Sequence, residues 1–481
     1  MSRYSEIILS THAFVPKKEL RASAEQIREQ LTITSRYEES VKICLAKETE
    51  SHFGYPLYMH DYAKHTSQLI DQRTPGTTIQ ISMAPDFQLR DNQKPLLHRF
   101  HEQLTQGRTG WLINMPTGSG KTVCALKMIA DIGRTTLIIV PRDSLMNQWA
   151  ERIQAFTDVS RDEIGWAQQD VCDYEGKKIV LGMIHSLAKN KYPQAFCRAF
   201  GLVIWDEVHV AAALSFSQTL SLFAPRFRIG MSATLHRRDG LTNIYRYAIG
   251  EEVLSIDKQT LVQPAVYLQE YTPEKADHKL NYIKNFNFKR AKLISSLAKD
   301  DTRNTLVARH IAKIAASGRR IVAFSERIEQ LNRLHELLIK ELGLEDKDIG
   351  IFTGETREAD RQEILAHSII ILATYGVMSM GVDVPDLRGV VFATPQANIA
   401  QAVGRVLRLN AEALDPIVVD IVDTCYQDCR FWAASRKKYY QTIAMAKLTQ
   451  LPAVSKGCLP REELKGASRG YCPDRTEPDQ L

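Results

Sequence analysis

Trp111-Leu-Ile-Asn-Met-Pro-Thr-Gly-Ser-Gly-Lys-Thr122 passes from an apolar strand through a glycine-rich turn into a Lys-Thr pair. A loop that wraps phosphate must curl until its backbone N–H groups converge on the oxygens, which takes Gly118 and Gly120 outside ordinary φ/ψ space. Lys121 then falls at a helix N-terminus, where its charge adds to the helix dipole opposite the β- and γ-phosphates, and Thr122 can ligate Mg²⁺. Pro116, Thr117 and Ser119 complete the loop. Gly-Ser-Gly by itself marks many ordinary turns; the strand before it and the Lys-Thr after it select the phosphate reading. The expected ligand is a nucleoside triphosphate.

Downstream, short β-rich runs alternate with helical stretches: Thr135–Val140 then Ser144–Phe156, Lys178–Gly182, Leu202–Trp205 then Glu207–Leu222, and Phe227–Gly230. The pattern restarts with Arg320–Phe324, a helix over Ile328–Leu342, then Ile349–Phe352, Ser368–Ala373, Gly389–Ala393 and Ile417–Val422. Continuous apolar strands between helices imply parallel sheets covered on both faces. The expected fold is α/β, with parallel-sheet domains over 86–262 and 263–450 that join near Asp257–Pro273. Residues 1–85 read as a small separate α+β domain, with helices over Ser23–Leu31 and Asp61–Asp71 and a strand over Thr77–Met83. Pro, Gly and charge dominate 451–481, which reads as a loosely ordered tail.

A chain of 481 residues has room for two or three domains. Its 44% hydrophobic and 25% charged content are those of a soluble protein. No run approaches the ~18–20 apolar residues of a membrane span, and the polar start Met-Ser-Arg-Tyr-Ser-Glu is unlike a secretory signal. The expectation is a cytoplasmic protein, in a bacterial cell or a phage-infected host, with no membrane partner. Eight cysteines, mostly scattered singly through apolar segments such as Cys44, Cys124 and Cys197, fit reduced thiols. Cys425, Cys429, Cys458 and Cys472 lie late but match no usual zinc spacing.

Net charge is +6 and unevenly placed. Residues 1–85 balance ten basic against ten acidic side chains, whereas 281–320 sets ten Lys and Arg against Asp300 and Asp301 alone. A solvated helix face would look the same; beside a triphosphate site, this stretch is expected to follow a polyanion.

Asp206-Glu-Val-His209 follows the apolar strand Leu202–Trp205, 85 residues after Lys121. At the C-terminal end of a strand in a parallel sheet, side chains face the ligand crevice. Asp206 can hold Mg²⁺ through water, and Glu207 can orient and deprotonate the attacking water. Near the end of the second sheet stands Gln401-Ala-Val-Gly-Arg-Val-Leu-Arg408. Arg405 and Arg408 lie three apart and share a helix face, so both guanidiniums can meet one γ-phosphate.

Taken in order, these pieces resemble the superfamily 2 helicases and translocases through most of residues 88–410. Pro116–Thr122 looks like motif I, Asp206–His209 like motif II in its Asp-Glu-x-His form, Ser232-Ala-Thr234 like motif III, and Gln401–Arg408 like motif VI. Gln93, in Leu89-Arg-Asp-Asn-Gln93, stands 28 residues before Lys121, where the family has its adenine-reading glutamine, with Arg90 beside it. Val140–Trp149 resembles motif Ia and Thr374–Pro385 motif V. The resemblance implies two RecA-like domains using ATP and Mg²⁺ in the cleft between them. The first would supply Lys121, Thr122, Asp206 and Glu207; the second Arg405, Arg408, Gly381 and the ribose contact Asp383. Nucleic acid would be held through its backbone by Arg142 and Thr374, with Ser232 and Thr234 coupling the two sites and His209 in the relay or simply packed.

Motif III continues Leu235-His-Arg-Arg-Asp-Gly240, similar to the Arg-x-Asp extension of XPB-, RadD- and UvsW-type DNA helicases. This points to an ATP-driven DNA helicase remodelling branched or forked duplexes in recombination, replication or repair, acting as a monomer, with residues 1–85 choosing the substrate. The alternatives are an RNA helicase and a double-strand DNA translocase of a restriction or remodelling complex.

Overall fold

Five-residue runs such as Thr136-Leu-Ile-Ile-Val140, buried at every position, can only sit in a sheet covered on both faces. The computed structural model describes residues 6–59, 68–116, 119–189, 191–233, 235–237, 239–250, 253–255, 264–273, 286–340, 342–376, 386–397, 399, 402–403, 414–443 and 448–455. The chain divides into two compact units, Met1–Asp257 and Lys258–Leu481.

The main sheet of the first unit contains β1 (Gly110–Asn114), β2 (Thr136–Val140), β3 (Ile164–Gln168), β4 (Val171–Asp173), β5 (Ile179–Met183), β6 (Leu202–Asp206), β7 (Phe227–Ser232) and β8 (Val253–Ser255). Their order is β4-β3-β5-β2-β6-β7-β1-β8, parallel except for the hairpin between β3 and β4. β7 therefore lies between β6 and β1, with Met231 opposite both Asp206 and Ile113, and Ser232 opposite Asn114. Helices α1 (Lys94–Thr105), α2 (Lys121–Ile132) and α3 (Asp143–Phe156) flank this sheet. α3 buries Met146, Trp149, Ala150 and Ile153, the one-sided spacing of a helix on a core. α2 stops at Gly133, whose φ of 62° closes the helix end at no steric cost.

Within 1–85 the described residues form the capped helix Ala24–Gln30, a five-stranded sheet and the two-stranded pair Thr32–Thr34 with Lys42–Cys44, and they pack against the first parallel sheet within one compact unit. Ile43 joins the core formed by Leu137, Val203 and Trp205. The helix expected over Asp61–Asp71 is replaced at Gln68–Asp71 by a strand parallel to Glu6–Leu9, while 60–67 lie outside the described residues. Thr77–Met83 is not a strand: it touches the parallel-sheet domain through single bridges, Thr78 to Arg134 and Met83 to Thr157. A β-carbon on Gly76 would lie 2.3 Å from the Gly201 nitrogen, so backbone meets backbone there.

Glu207–Leu222 is likewise no continuous helix. Glu207 takes φ 48°, which breaks the chain direction and leaves a 3₁₀ turn, Val208–Ala212, and a short helix, Thr219–Leu222.

The second unit holds β9 (Ala265–Thr272), β10 (Arg320–Ser325), β11 (Ile349–Phe352), β12 (Ile370–Thr374), β13 (Leu387–Phe392), β14 (Ile417–Asp423) and β15 (Leu448–Ser455). All neighbouring pairs run parallel, in the order β11-β12-β10-β13-β14-β9-β15. Its helices include α4 (Phe286–Ala298), α5 (Asp301–Ala316), α6 (Ile328–Lys340) and α7 (Gln427–Ile443). The expected join over Asp257–Pro273 contains β9, an interior strand of this sheet. Leu451–Ser455, expected in the tail, belongs to edge strand β15; Pro452 is tolerated at the edge, and its carbonyl accepts from Gln269 where the register slips. Residues 456–481 lie outside the described residues.

The basic stretch 281–320 does not present all its charge to solvent. Arg303 is fully buried on α5, bidentate to Asp423 at 2.7 and 2.9 Å. Lys289 pairs with Asp428 and Arg290 with Glu326, while Arg319 and Arg320 donate to the carbonyls of Asp415 and Ser368. Composition counts the charges but cannot show which are answered inside the fold.

Replacing Arg303 with Ala should leave the Asp423 carboxylate buried without its partner and destabilise the second unit by about 3–5 kcal/mol. Denaturant titration followed by circular dichroism reads this directly, and a loss under about 1 kcal/mol would mean that water or another donor satisfies Asp423.

Candidate active site

Because β6 and β1 are the two neighbours of β7 and all three run parallel, the turns leaving them open at one edge of the sheet. From β1 the chain enters the phosphate-type loop. Gly120 has φ 88° and forms the N-cap of α2, so Lys121 starts the helix as the sequence requires. From β6, Asp206 ends the strand and Glu207 turns back in the left-handed region. β7 ends on Ser232. Parallel pairing thus brings together groups that are far apart in sequence.

The contacts are direct. The Lys121 ammonium lies 3.5 Å from Oε1 of Glu207. The Ser232 hydroxyl donates to Oε2 of Glu207 at 3.2 Å, and His209 Nδ1 lies 2.9 Å from that hydroxyl and 3.3 Å from the same carboxylate. A serine that donates to Glu207 accepts from Nδ1–H, which fixes the imidazole tautomer. Asp206 Oδ1 accepts the Glu207 backbone N–H at 2.9 Å, and Oδ2 accepts the indole N–H of Trp149 at 2.9 Å.

Two neighbouring carboxyl groups are pushed in opposite directions. Burial, then the charge of Glu207, holds Asp206 above the ordinary carboxylate range. Burial would also lift Glu207, but Lys121, His209 and the Ser232 hydrogen bond outweigh it and hold that group below its ordinary value. Burial lowers His209, reinforced by Arg237 and Lys121 against the pull of Glu207. A half-buried cation beside an ionised carboxylate and a second carboxyl group is a donor set suited to phosphates, a divalent cation and an activated water.

Gln93, only 2% exposed, is bonded at both ends of its amide. Oε1 accepts the Arg90 N–H at 3.0 Å and Nε2 donates to the Ser119 carbonyl at 3.0 Å. A β-carbon on Gly120 would lie 2.2 Å from that nitrogen, so the loop needs glycine here for space as well as for φ. The Pro116 carbonyl accepts from both the backbone and the hydroxyl of Ser119. Thr122 lies in the first turn of α2. Arg142 is exposed in extended backbone just before α3, and Thr374 ends β12 in the second unit. Thr117, Gly118, Thr234, Gly381, Asp383, Gln401, Arg405 and Arg408 lie outside the described residues.

One participant, Trp149, is unmarked in the sequence, and Arg237 is marked there only as part of the Arg-x-Asp segment. Trp149 stands in the motif Ia-like segment, but only the packing of α3 turns its N–H onto Asp206. Arg237 donates to the His209 carbonyl and forms a two-point pair with Asp239, whose own carbonyl accepts the N–H of Arg36 at 2.8 Å. The Arg-x-Asp segment thus ties the turn after β6 to residues 1–85. Its spacing was readable; its partners were not.

A family model described as the type III restriction enzyme res subunit matches residues 86–237, and one for the helicase conserved C-terminal domain matches 283–410. A putative ATP-dependent RNA helicase of Acanthamoeba polyphaga mimivirus is 30% identical over 357 residues, covering 73% of this chain and 67% of the relative. The DNA 3'-5' translocase XPB2 of Sulfurisphaera tokodaii is 26% identical over 373 residues, covering 66% of this chain and 79% of the relative. Among solved structures, a fragment of a putative HsdR subunit of a type I restriction enzyme from Vibrio vulnificus has a TM-score of 0.53 at 19% identity, covering 76% of this chain and 68% of that one, a likeness of fold.

Trp149→Phe keeps most of the buried ring and removes the N–H. With one charge-assisted hydrogen bond gone, Asp206 is held less firmly, and the Mg²⁺ concentration that half-saturates binding of a non-hydrolysable ATP analogue should rise about tenfold. Calorimetric titration of Mg²⁺ into the protein with the analogue measures it; an unchanged midpoint would leave Trp149 a packing residue only.

Proposed function

The chain belongs to the superfamily 2 helicases, ATP-dependent enzymes, and from that membership we propose that it is a DNA helicase remodelling branched or forked duplexes in recombination, replication or repair. It works as a monomer in the cytoplasm of a bacterial cell or an infected host. The observation that carries the ATPase part of the reading is the meeting of Lys121, Asp206, Glu207 and Ser232 at one sheet edge, with the two carboxyl groups held at opposite protonation tendencies.

The residues fit ATP and Mg²⁺. Thr122 and Asp206 would hold the metal, which supplies charge neutralisation at the phosphates. Lys121 binds the β- and γ-phosphates through its ammonium, and residues 117–120, which follow Pro116, present backbone N–H groups to them. Glu207, kept ionised by Lys121 and Ser232, orients the attacking water and takes its proton. Arg90 and Gln93 read the adenine, and the bond from Gln93 to the Ser119 carbonyl connects base recognition with the phosphate loop. Asp383 contacts the ribose and Gly381 belongs to the nucleotide site with it, and Gln401, Arg405 and Arg408 stabilise the charge that moves off the γ-phosphate. Arg142 and Thr374 grip backbone, with Ser232 and Thr234 linking grip to hydrolysis.

The DNA assignment draws on the Arg237–Asp239 segment, similar to the extension in XPB- and UvsW-type helicases, and on its tie to residues 1–85 through Arg36. An RNA substrate is the second reading, favoured by the name of the mimivirus relative. ATPase stimulation by DNA against RNA separates the two, and unwinding of fork, flap, Holliday junction and blunt duplex tests the preference for branches.

Lys121→Ala should abolish hydrolysis. Glu207→Gln should bind ATP almost as wild type yet turn over at least ~10²-fold more slowly, since an amide can hold the water but not take its proton. Near-normal turnover in that variant would remove Glu207 from the role of base.

Substrate choice by residues 1–85 is best tested without deleting them, because Ile43 completes the neighbouring core. Tyr37 is 73% exposed beside Arg36 and suits a local change. Tyr37→Ala should reduce the preference for forks over simple partial duplexes by roughly fivefold, a stacking contact's worth, and leave ATPase activity intact. Equal selectivity in the unwinding panel would move substrate choice elsewhere.

A further inference from the structure

We propose that α4 and α7 of the second unit form a contact surface for single-stranded nucleic acid outside the helicase motifs. Phe431 serves as the stacking platform, and Lys292, Lys299, Arg430, Lys437 and Lys438 meet phosphates. The inference rests on the helicase reading and extends it to a face that no motif marks.

The two helices pack through Leu293, Ile294 and Leu297 against Tyr426, Cys429 and Trp432. The Arg290 guanidinium over the Trp432 ring at 5.6 Å and the Lys289–Asp428 pair at 2.6 Å clamp them together. These contacts use the inward cations and the single acid of the pair: α4 contains no Asp or Glu, and Asp428 is the only one in α7. What remains outward is positive. Arg430, Ala434, Lys437 and Lys438 follow helical spacing along one exposed face with Phe431, and Lys292 and Lys299 are exposed on and just after α4.

Among the described residues, Lys299, Lys437 and Lys438 have no acidic partner within ion-pair distance, and Arg430 makes its hydrogen bond to the Thr424 carbonyl rather than to a carboxylate. A helix face that carries three cations and no acid forgoes the i,i+4 pairing that would ordinarily stabilise it. The complement of such a face is a polyanion.

The aromatic side chains narrow the choice. Phe431 is 68% exposed, and Phe288 is 53% exposed with the Lys292 ammonium 4.5 Å above its ring. Exposed aromatic faces among cations suit unstacked bases, which duplex DNA keeps inside. An acidic protein surface would need the charges but would make less use of the rings.

The test measures binding of a fluorescein-labelled oligothymidine and of a blunt duplex of equal length to the full chain. Phe431→Ala should weaken oligothymidine binding by about tenfold, with Phe431→Trp restoring it. The double change Lys437→Glu and Lys438→Glu should flatten the slope of log affinity against log salt by roughly 1.4, at about 0.7 per phosphate contact on a single strand. Changing Lys292 and Lys299 to Glu should act alike from the other helix. ATPase activity without nucleic acid and the melting temperature should stay at wild-type values. If wild type binds and the variants match it in affinity and slope, this inference falls alone, as it does if duplex affinity drops as much as single-strand affinity. A wild-type chain that binds neither probe overturns the helicase reading with it.

Discussion

One ammonium answers the acidic charge that gathers at the edge of the first sheet. Lys121 starts α2 because Gly120 can hold a positive φ, and Glu207 reaches it because the chain reverses at a left-handed residue directly after β6. Take away the cation, and the Glu207 carboxylate must face a second buried carboxyl group with only Ser232 and His209 to answer it. The opposite displacements of Asp206 and Glu207 follow from that asymmetry: Glu207 has the lysine at hydrogen-bonding reach, whereas Asp206 has neutral donors, a backbone N–H and an indole. Folding thereby raises the proton affinity of one carboxyl group and lowers that of its neighbour.

The second unit handles charge differently. Its largest buried polar groups are paired one to one: Arg303 with Asp423, and Arg436 with Asp420, the latter at 2.7 Å. Both aspartates stand on β14, so the cations of two helices are anchored to one interior strand. Buried pairs of this kind add less net stability than their geometry suggests, because each ion gives up its hydration. Their effect here is positional, fixing α5 and α7 against the sheet and leaving the remaining cations of α4 and α7 on the outside.

Residues 1–85 relate to the first parallel sheet more closely than a tethered accessory domain would. Backbone hydrogen bonds run from Arg36 to Asp239, Tyr58 to Tyr247 and Thr74 to Ala224, and Gly110 has no room for a β-carbon because Tyr58 and the Ile249 carbonyl occupy that space. A change of geometry at Asp239 would be felt both at Arg36 and, through Arg237, at the carbonyl of His209. This is a physical route by which a displacement of Arg36 bears on the turn that carries Glu207.

The amino-acid sequence alone determined the α/β class, the two parallel sheets, the strand that feeds the glycine loop and the places of Lys121 at a helix start and Asp206 after an apolar strand run. Those features are local: a buried strand needs a continuous apolar run, and a phosphate loop needs glycine at particular positions. Elements fixed by distant partners were not legible. Gln68–Asp71 reads as helix but is a strand because Glu6–Leu9 offers it an edge, and Ala265–Thr272 reads as a join but lies inside a sheet between β14 and β15. The positive balance of 281–320 was plain in the composition, yet the burial of Arg303 depended on Asp423, 120 residues away. Trp149 shows the same limit at the site itself: its place in α3 follows from periodicity, but the direction of its N–H was decided when α3 packed against the sheet and met the end of β6. Periodicity acts over a few residues, whereas a hydrogen bond depends on where two separate elements come to rest.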